Sequence, residues 1–377
     1  MICKKEKCTG CYACYNICPK NAIEMKEDEY GNIYACINNE KCIECKICKK
    51  VCPQINEMEL KAPLTVYAMY NKDKNIRQQS TSGGAATTFY TKVLKEKGIV
   101  YGASNLFGKE TFDFIRIDKL DDLYKVKGSK YVHCYIKDTF KKVKEDLVSN
   151  KLVLFIGTPC QIAGLKSFLM KEYDNLITVD LVCHGVPSQK LLFDNLKDYR
   201  IDKKDIYYIT FRDDNGFRLK VYDKDKKLNV SKTSNEDYYY KNFLRGNIYR
   251  ENCYSCRYAR RQRIADITIG DFWGLDKNSK VYDDESKGIS LIMPITPKGL
   301  ELVNSITDES IIEERTIEEA TKENQQLNHP MYRKKEYLKY KKYYPKYGYK
   351  YAMKKLEKFK DFLKKNKMIY KIYKRIR

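Results

Sequence analysis

Residues 8–19 read Cys8-Thr9-Gly10-Cys11-Tyr12-Ala13-Cys14-Tyr15-Asn16-Ile17-Cys18-Pro19, and the same spacing returns 34 positions later as Cys42, Cys45, Cys48 and Cys52 followed by Pro53. A four-iron cubane needs four converging thiolates, and a tight CxxCxxC turn supplies only three from one short loop. In the two-cluster bacterial spacing the last cysteine of each run serves the other cluster, and the proline after it turns the chain away. Cys8, Cys11, Cys14 and Cys52 are therefore assigned to one 4Fe-4S cluster, and Cys42, Cys45, Cys48 and Cys18 to a second. Zinc usually takes two separated CxxC pairs rather than two runs of four ending in Cys-Pro, so it fits the pattern poorly. Cys3 and Cys36 fall outside the motif and read as spare thiols near a cluster.

Working outward, residues 22–37 alternate around Asp28-Glu29-Tyr30-Gly31-Asn32 like a short β-hairpin, and residues 54–63 read as a linker. From residue 64 the pattern changes to short apolar strands (65–70, 98–103, 152–156, 176–182) alternating with helical stretches (85–97, 139–149, 161–171, 189–199). Strands near 206–212, 219–223 and 267–272 suggest a second sheet region. The expected fold is α+β. A bacterial ferredoxin-like domain (1–57) leads into a larger mixed α/β domain over 64–330, with an N part near 64–140 and a C part near 150–300. A basic Lys/Tyr-rich helical tail follows over 331–377, broken at Pro345 and Gly348.

Composition bounds the rest. Apolar residues make up 43% and charged residues 33% of the 377, ordinary values for a folded protein with room for two or three domains. The longest apolar runs, such as 152–156, are too short to span a bilayer. The sequence opens on charged residues and cysteines with no apolar stretch for translocation, and among its fifteen cysteines the tight CxxC spacings favour metal ligation over disulfides. A cytoplasmic protein is expected. The net charge of +23 is concentrated in residues 331–377, which hold 19 Lys or Arg against 3 Asp or Glu, so it says little about the body.

Four more cysteines stand in suggestive contexts: Cys160 in Gly157-Thr158-Pro159-Cys160-Gln161, Cys183 in Leu181-Val182-Cys183-His184-Gly185, and the pair Cys253-Tyr254-Ser255-Cys256. The first two follow predicted strands, whose carboxyl ends are where α/β sheets bind ligands. Spacing alone leaves two readings open: a third set of four thiolates, or two buried apolar cysteines beside a lone zinc or redox pair. Ser82-Gly83-Gly84, ahead of a helix from Ala85, permits close backbone approach and offers free N–H groups to a pyrophosphate, although a plain helix-starting loop has the same sequence.

Five ordered motifs carry a resemblance. Ser80-Thr81-Ser82-Gly83-Gly84, Lys127-Gly128-Ser129-Lys130-Tyr131-Val132, Gly157 to Ile162, Cys183-His184-Gly185-Val186-Pro187 and Ala265 to Gly274 make residues 1–300 resemble the beta-subunit family of coenzyme F420 hydrogenases and dehydrogenases, which are iron–sulfur flavoproteins. The resemblance implies an FAD-bearing domain with its own 4Fe-4S cluster, making Cys160, Cys183, Cys253 and Cys256 ligands of a third cluster. It also implies cofactor contacts from Ser82, Gly83, Gly84, Lys127, Ser129, Lys130 and Tyr131. Cys134 is left out. His184 reads as a structural hydrogen-bonding residue, and no residue is assigned as general acid or base.

The expected function is an oxidoreductase that carries electrons from a hydride donor through FAD and the clusters to a redox partner protein or subunit, in either direction. The donor is coenzyme F420, a nicotinamide or another hydride carrier, and no Gly-x-Gly-x-x-Gly fingerprint marks a Rossmann site. The competing reading is a non-enzymatic electron carrier or redox adaptor, some similar sequences being associated with polysaccharide biosynthesis. For the tail, a solvated helical extension is favoured over attachment to the inner, anionic membrane surface through Tyr337, Tyr340, Tyr343, Tyr344, Tyr347 and Tyr349. Nucleic-acid binding is the least favoured reading, because cluster-bearing regions are poor company for a simple binder.

Overall fold

The computed structural model of the chain describes residues 2–213, 216–283 and 288–357. At the N-terminus each cysteine run enters a short helix, α1 (Ala13–Ile17) and α2 (Ile47–Lys50). Between them β1 (Ile23–Glu27) and β2 (Ile33–Ile37) pair antiparallel, with Ile23 opposite Ile37. Asp28 closes the hairpin by accepting hydrogen bonds from the backbone N–H of Tyr30 at 3.0 Å and of Asn32 at 2.8 Å, an Asx turn.

The body is built on eight strands: β3 (Val66–Asn71), β4 (Ile99–Ala103), β5 (Phe114–Ile117), β6 (Val153–Gly157), β7 (Leu176–Leu181), and the later β11 (Ile267–Asp271), β12 (Ser290–Pro294) and β13 (Ser310–Arg315). Their spatial order is β13-β3-β12-β11-β7-β6-β4-β5. The central run β4, β6, β7 and β11 is parallel, and antiparallel pairs close both sides. Strand alternation sorts side chains between two layers. Leu154 and Ile156 of β6 face a core with α4 (Ala85–Lys95) and α9 (Pro297–Asn304). Val153 and Phe155 face the opposite core with α5 (Thr139–Val148) and α6 (Pro159–Leu169).

That second core is the larger. It also takes in α7 (Gln189–Asp198), α8 (Tyr238–Leu244) and a three-stranded antiparallel sheet of β8 (Ile206–Asp213), β9 (Gly216–Asp223) and β10 (Leu228–Thr233). Tyr12, Ala13, Tyr30 and Val51 of the N-terminal module belong to it, as do residues of the long α11 (Lys335–Leu356). A large apolar side chain such as Val51 contributes roughly 1.5–3 kcal/mol when fully buried, so the module is packed on the body as an integral layer. The remaining helices are the short α3 (Lys74–Gln78) and α10 (Ile317–Lys322).

Three expectations are corrected. The segment 267–272 does not join 206–212 and 219–223 in a second sheet: β11 enters the main sheet between β7 and β12. Asp266 just before it accepts from the backbone N–H and hydroxyl of Thr178 on β7, at 2.8 and 2.7 Å, and so fixes the parallel register. The helix expected from Gln161 begins at Pro159, because Thr158 and Gln161 form a capping box with proline in the first turn. The tail is not a solvated extension up to residue 357. Tyr337, Tyr340, Tyr344 and Tyr349 are buried, and α11 runs through Pro345 and breaks only at Gly348, where φ is 74°. The rest of the expected tail, 358–377, lies outside the described residues.

Candidate functional site

The two cysteine runs share a backbone device. Gly10 and Tyr12 adopt φ of 64° and 65°, and the residues 34 positions on, Glu44 and Lys46, adopt 54° and 58°. Left-handed residues at these places turn successive N–H groups inward, forming a concavity of the kind that receives iron–sulfur clusters. Cys8, Cys11, Cys14 and Cys52 line one cavity, as the spacing required, and Cys3 lines it with them. A hydrogen bond from Cys3 is the main reason the Cys8 and Cys52 thiols are drawn down to about 6 and about 7. Burial instead pushes Cys11 up to about 12. In the second set, Cys18 and Cys42 lie within electrostatic range of Cys48, and Cys45 is exposed. The backbone N–H of Ala22 donates to Cys18 Sγ at 3.2 Å, and that of Glu44 to Cys42 Sγ at 3.4 Å. The sets adjoin, since Cys48 acts electrostatically on Cys14.

The structure brings Cys160, Cys183, Cys253 and Cys256 together. Cys160 occupies the first turn of α6, directly after β6. Cys183 follows β7, Cys253 lies in a 3₁₀ turn ahead of β11, and Cys256 caps that turn's end. Each thiol is raised by burial, Cys183 and Cys253 to about 12, and the four act on one another electrostatically. Among the described residues no three His, Cys, Asp or Glu close around a single metal ion. Thiolates on a four-iron cubane each take a different iron and need no such closure. This third set abuts the first: Cys11 acts on Cys160, and Gly164 of α6 faces the Cys11 side chain.

The other motifs meet along the same carboxyl edge of the sheet. Ser129 donates to Thr81 at 3.1 Å or accepts from it, and Lys127 Nζ approaches Gln79 Oε1 at 3.4 Å, so the 127–131 loop lies on the 79–84 loop. Gly84 starts α4 with φ of 96°. Gly83 has a different reason to be glycine, because a Cβ there would stand 2.1 Å from the carbonyl oxygen of Met69 and 2.7 Å from the nitrogen of Ser290. Ser82 donates to the carbonyl of Ile289 at 3.0 Å. Lys130 turns inward and donates to the carbonyls of Val126 at 2.9 Å and Lys127 at 2.8 Å, and burial lowers its ammonium to about 8. Tyr131 stacks on Phe243 with centroids 4.7 Å apart. His184 is lowered by burial, against the pull of Asp271.

Three arginines escaped the sequence reading. Arg212 pairs with Asp271 at 2.7 Å and lies over the Phe217 ring. Arg263, buried, pairs with buried Asp180 at 2.9 Å and donates to the carbonyls of Leu181 and Tyr258, which locks the end of β7 just before Cys183. Arg250, 1% exposed, lies between the first and third thiol sets. The only signal was an arginine close to a strand end or a cysteine, Arg212 near the end of β8, Arg250 three residues before Cys253 and Arg263 four before β11, which many surface arginines share.

Residues 7–55 match the family described as 4Fe-4S dicluster domain, and residues 150–320 match the family described as the C terminus of the coenzyme F420 hydrogenase/dehydrogenase beta subunit. Over 35 residues the chain is 46% identical to an uncharacterized ferredoxin of Methanocaldococcus jannaschii, a match covering 9% of this chain and 46% of that one, so it spans about half the relative's length. The structure is similar to a chain of the F420-reducing [NiFe] hydrogenase complex of Methanosarcina barkeri, at 18% identity and a TM-score of 0.48, covering 71% of this chain and 91% of that one. Among the described residues no helix is long and apolar enough to cross a membrane. The two matched stretches hold the twelve cysteines gathered here, residues 7–55 the eight of the two runs and residues 150–320 Cys160, Cys183, Cys253 and Cys256, so the chain is similar to 4Fe-4S dicluster domains in the first stretch and to the C terminus of the coenzyme F420 hydrogenase/dehydrogenase beta subunit in the second.

Proposed function

We propose that the chain is an iron–sulfur flavoprotein oxidoreductase that exchanges electrons between a hydride donor, coenzyme F420 or a nicotinamide, and a redox partner protein. The carrying observation is the convergence of Cys160, Cys183, Cys253 and Cys256 in a partly buried place against Cys11. In this reading those four thiols hold a third 4Fe-4S cluster, the two runs hold the other two, and FAD lies at the carboxyl edge of the sheet. When bound, a flavin exchanges a hydride's two electrons for single ones and a 4Fe-4S cluster passes one at a time. Gly84 and the first turn of α4 offer N–H groups to a pyrophosphate, with Ser82, Lys127 and Ser129 beside them. Lys130 and Tyr131 support that loop from behind. The residues order the centres in space: the third thiol set adjoins Cys11, and Cys14 adjoins Cys48 near exposed Cys45, where a partner would dock.

The alternative, an electron carrier or redox adaptor without flavin, draws support from Gly83, whose open side is filled by the backbone of Met69 and Ser290. Anaerobic purification with iron, sulfide and flavin measured per chain separates the two. About twelve irons, four per cluster, with one FAD supports the oxidoreductase. About eight irons without flavin leaves a dicluster module on an adaptor. Membrane contact, if made, falls to α11's outer face, where Tyr347 and Tyr351 are exposed and Lys346 and Lys355 lie over their rings. Equal sedimentation with anionic vesicles of the full chain and of a variant carrying Tyr347→Ser and Tyr351→Ser on that exposed face would remove that part of the reading.

A further inference from the structure

A buried charge normally has an opposite charge beside it, because an uncompensated one is costly. Arg263 obeys that rule through Asp180. Arg250 does not. Its guanidinium is buried, yet its acceptors are all neutral: the carbonyls of Ile33 at 2.9 Å and Cys8 at 3.1 Å, and Asn252 Oδ1 at 3.3 Å. Its Nη1 stands 3.5 Å from His133 Nδ1, and its cation sits 5.2 Å from the centre of the Tyr34 ring. His133 is itself held well below the ordinary histidine range by burial and by Arg250, so it stays neutral. Among the described residues no carboxylate pairs with this cation.

Its position explains what does. Tyr34 and Cys8 line the first thiol cavity, and the backbone N–H of Cys253 bonds to the carbonyl of Arg250 at 3.1 Å. The Arg250 charge therefore acts on one member of each neighbouring set, Cys8 and Cys253. The set of Cys18, Cys42, Cys45 and Cys48 adjoins Cys14 through Cys48, and the Arg250 charge is not among the influences on Cys48. A four-iron cluster with four thiolates is an anion whose negative charge grows on reduction, and its potential is set partly by nearby charge.

We propose that Arg250 is the shared counter-charge of two centres, the one held by Cys8, Cys11, Cys14 and Cys52 and the one held by Cys160, Cys183, Cys253 and Cys256, and that it raises both reduction potentials together. The second half rests on the proposed third cluster. Arg250 is a positioning residue: it touches carbonyls and a ring next to the ligands, and acts through its fixed charge. Pairing the two potentials keeps transfer between these neighbours close to level, whichever direction the electrons run.

The test is an EPR-monitored redox titration of the anaerobically purified full chain and of Arg250→Gln, Arg250→Lys and Asn252→Asp, with iron counted in each. In Arg250→Gln the two adjoining centres are expected to become at least tenfold harder to reduce, about 59 mV for one electron, while the centre held by Cys18, Cys42, Cys45 and Cys48 does not move. Arg250→Lys keeps the charge and should keep most of both potentials. Asn252→Asp is nearly isosteric and half-exposed, and it gives the guanidinium a protein anion. Because Asn252 Nδ2 also lies 3.9 Å from Cys253 Sγ, the centre held by Cys8 is the one that reports on Arg250 in this variant, and its potential should fall even if Arg250→Gln fails to assemble. Unmoved potentials in Arg250→Gln or Asn252→Asp, an equal shift of all three centres, or a lysine variant that behaves like glutamine would overturn the proposal. A wild-type count of about eight irons would instead fail the third cluster, and the centre at Cys8, read against the one at Cys18, would still judge Arg250.

Discussion

Gly164 on α6 faces Cys11 so closely that a Cβ added to the glycine would stand 2.8 Å from Cys11 Cβ and 3.0 Å from its Sγ. The helix that carries Cys160 in its first turn docks on the N-terminal module through this bare position. Gly164→Ala sets a helix gain of about 1 kcal/mol against an overpacking cost of about 1–3 kcal/mol. Cys11 Cβ is fixed by its own loop, so the cost should win by about 1 kcal/mol. Denaturant unfolding of the full chain decides it, and an alanine variant at least as stable as the parent would mean that α6 shifts freely against the module.

Arg263 and Asp180 form a buried ion pair at 2.9 Å. Removing one partner strands the other, so Arg263→Met should cost about 3–5 kcal/mol. Asp180→Asn should cost less, because Arg263 keeps the carbonyls of Tyr258 and Leu181. Urea midpoints of the two variants give the ranking, and a harmless Arg263→Met would show that the pair contributes nothing net.

Burial holds the Lys130 ammonium at about 8, against 10.5 for an ordinary lysine. Between those values the unfolded chain still binds a proton that the folded chain has released, so this group makes stability rise with pH across that window. Below about pH 8 both states are charged and its contribution is flat. The stability difference between the parent and Lys130→Met should therefore change from pH 8 to 10.5 and be constant below. A difference constant across the whole range would place Lys130 in water.

Tyr344 on α11 donates to Asp194 at 2.6 Å and accepts from Lys190 Nζ at 2.7 Å, while Asp194 and Lys190 also pair at 2.8 Å. Tyr344→Phe keeps the packing and removes the hydroxyl, which should cost about 1–3 kcal/mol because the lost partners are charged. Thermal unfolding measures it. A loss under a few tenths would mean that water takes over both bonds.

How much of this was legible depended on range. Cys8 to Cys18 and Cys42 to Cys52 announce themselves by spacing, and Cys160 and Cys183 by standing after apolar strand runs. The parallel strands 152–156 and 176–182 were readable because both faces of the sheet are covered, leaving nearly unbroken apolar stretches. Arg250 was not readable, because its role depends on Cys8 and Ile33, more than two hundred positions away, while its neighbour Glu251 suggests a surface. Residues 310–315 hid β13, whose Glu313, Glu314 and Arg315 mark a solvent-facing edge. In the tail, Tyr337, Tyr340 and Tyr344 recur at helical spacing, but the count of lysines drew attention to charge instead of to the stripe beneath it. Gly83 shows the reverse failure: the Gly-Gly pair was visible, yet what approaches Gly83 is the protein's own backbone.

Tyr30 carries a consequence in time. Its hydroxyl donates to the Lys341 carbonyl at 2.8 Å, the Lys341 ammonium lies 3.4 Å from its ring centre, and its carbonyl accepts from Ser188. Ribosomes deliver the chain in order, so the hairpin that bears Tyr30 emerges long before the helix that seals it. At roughly 5–20 residues per second, Tyr30 and the hairpin that bears it wait tens of seconds for the Lys341 carbonyl and ammonium that α11 brings, so this face of the module is finished only near the end of synthesis.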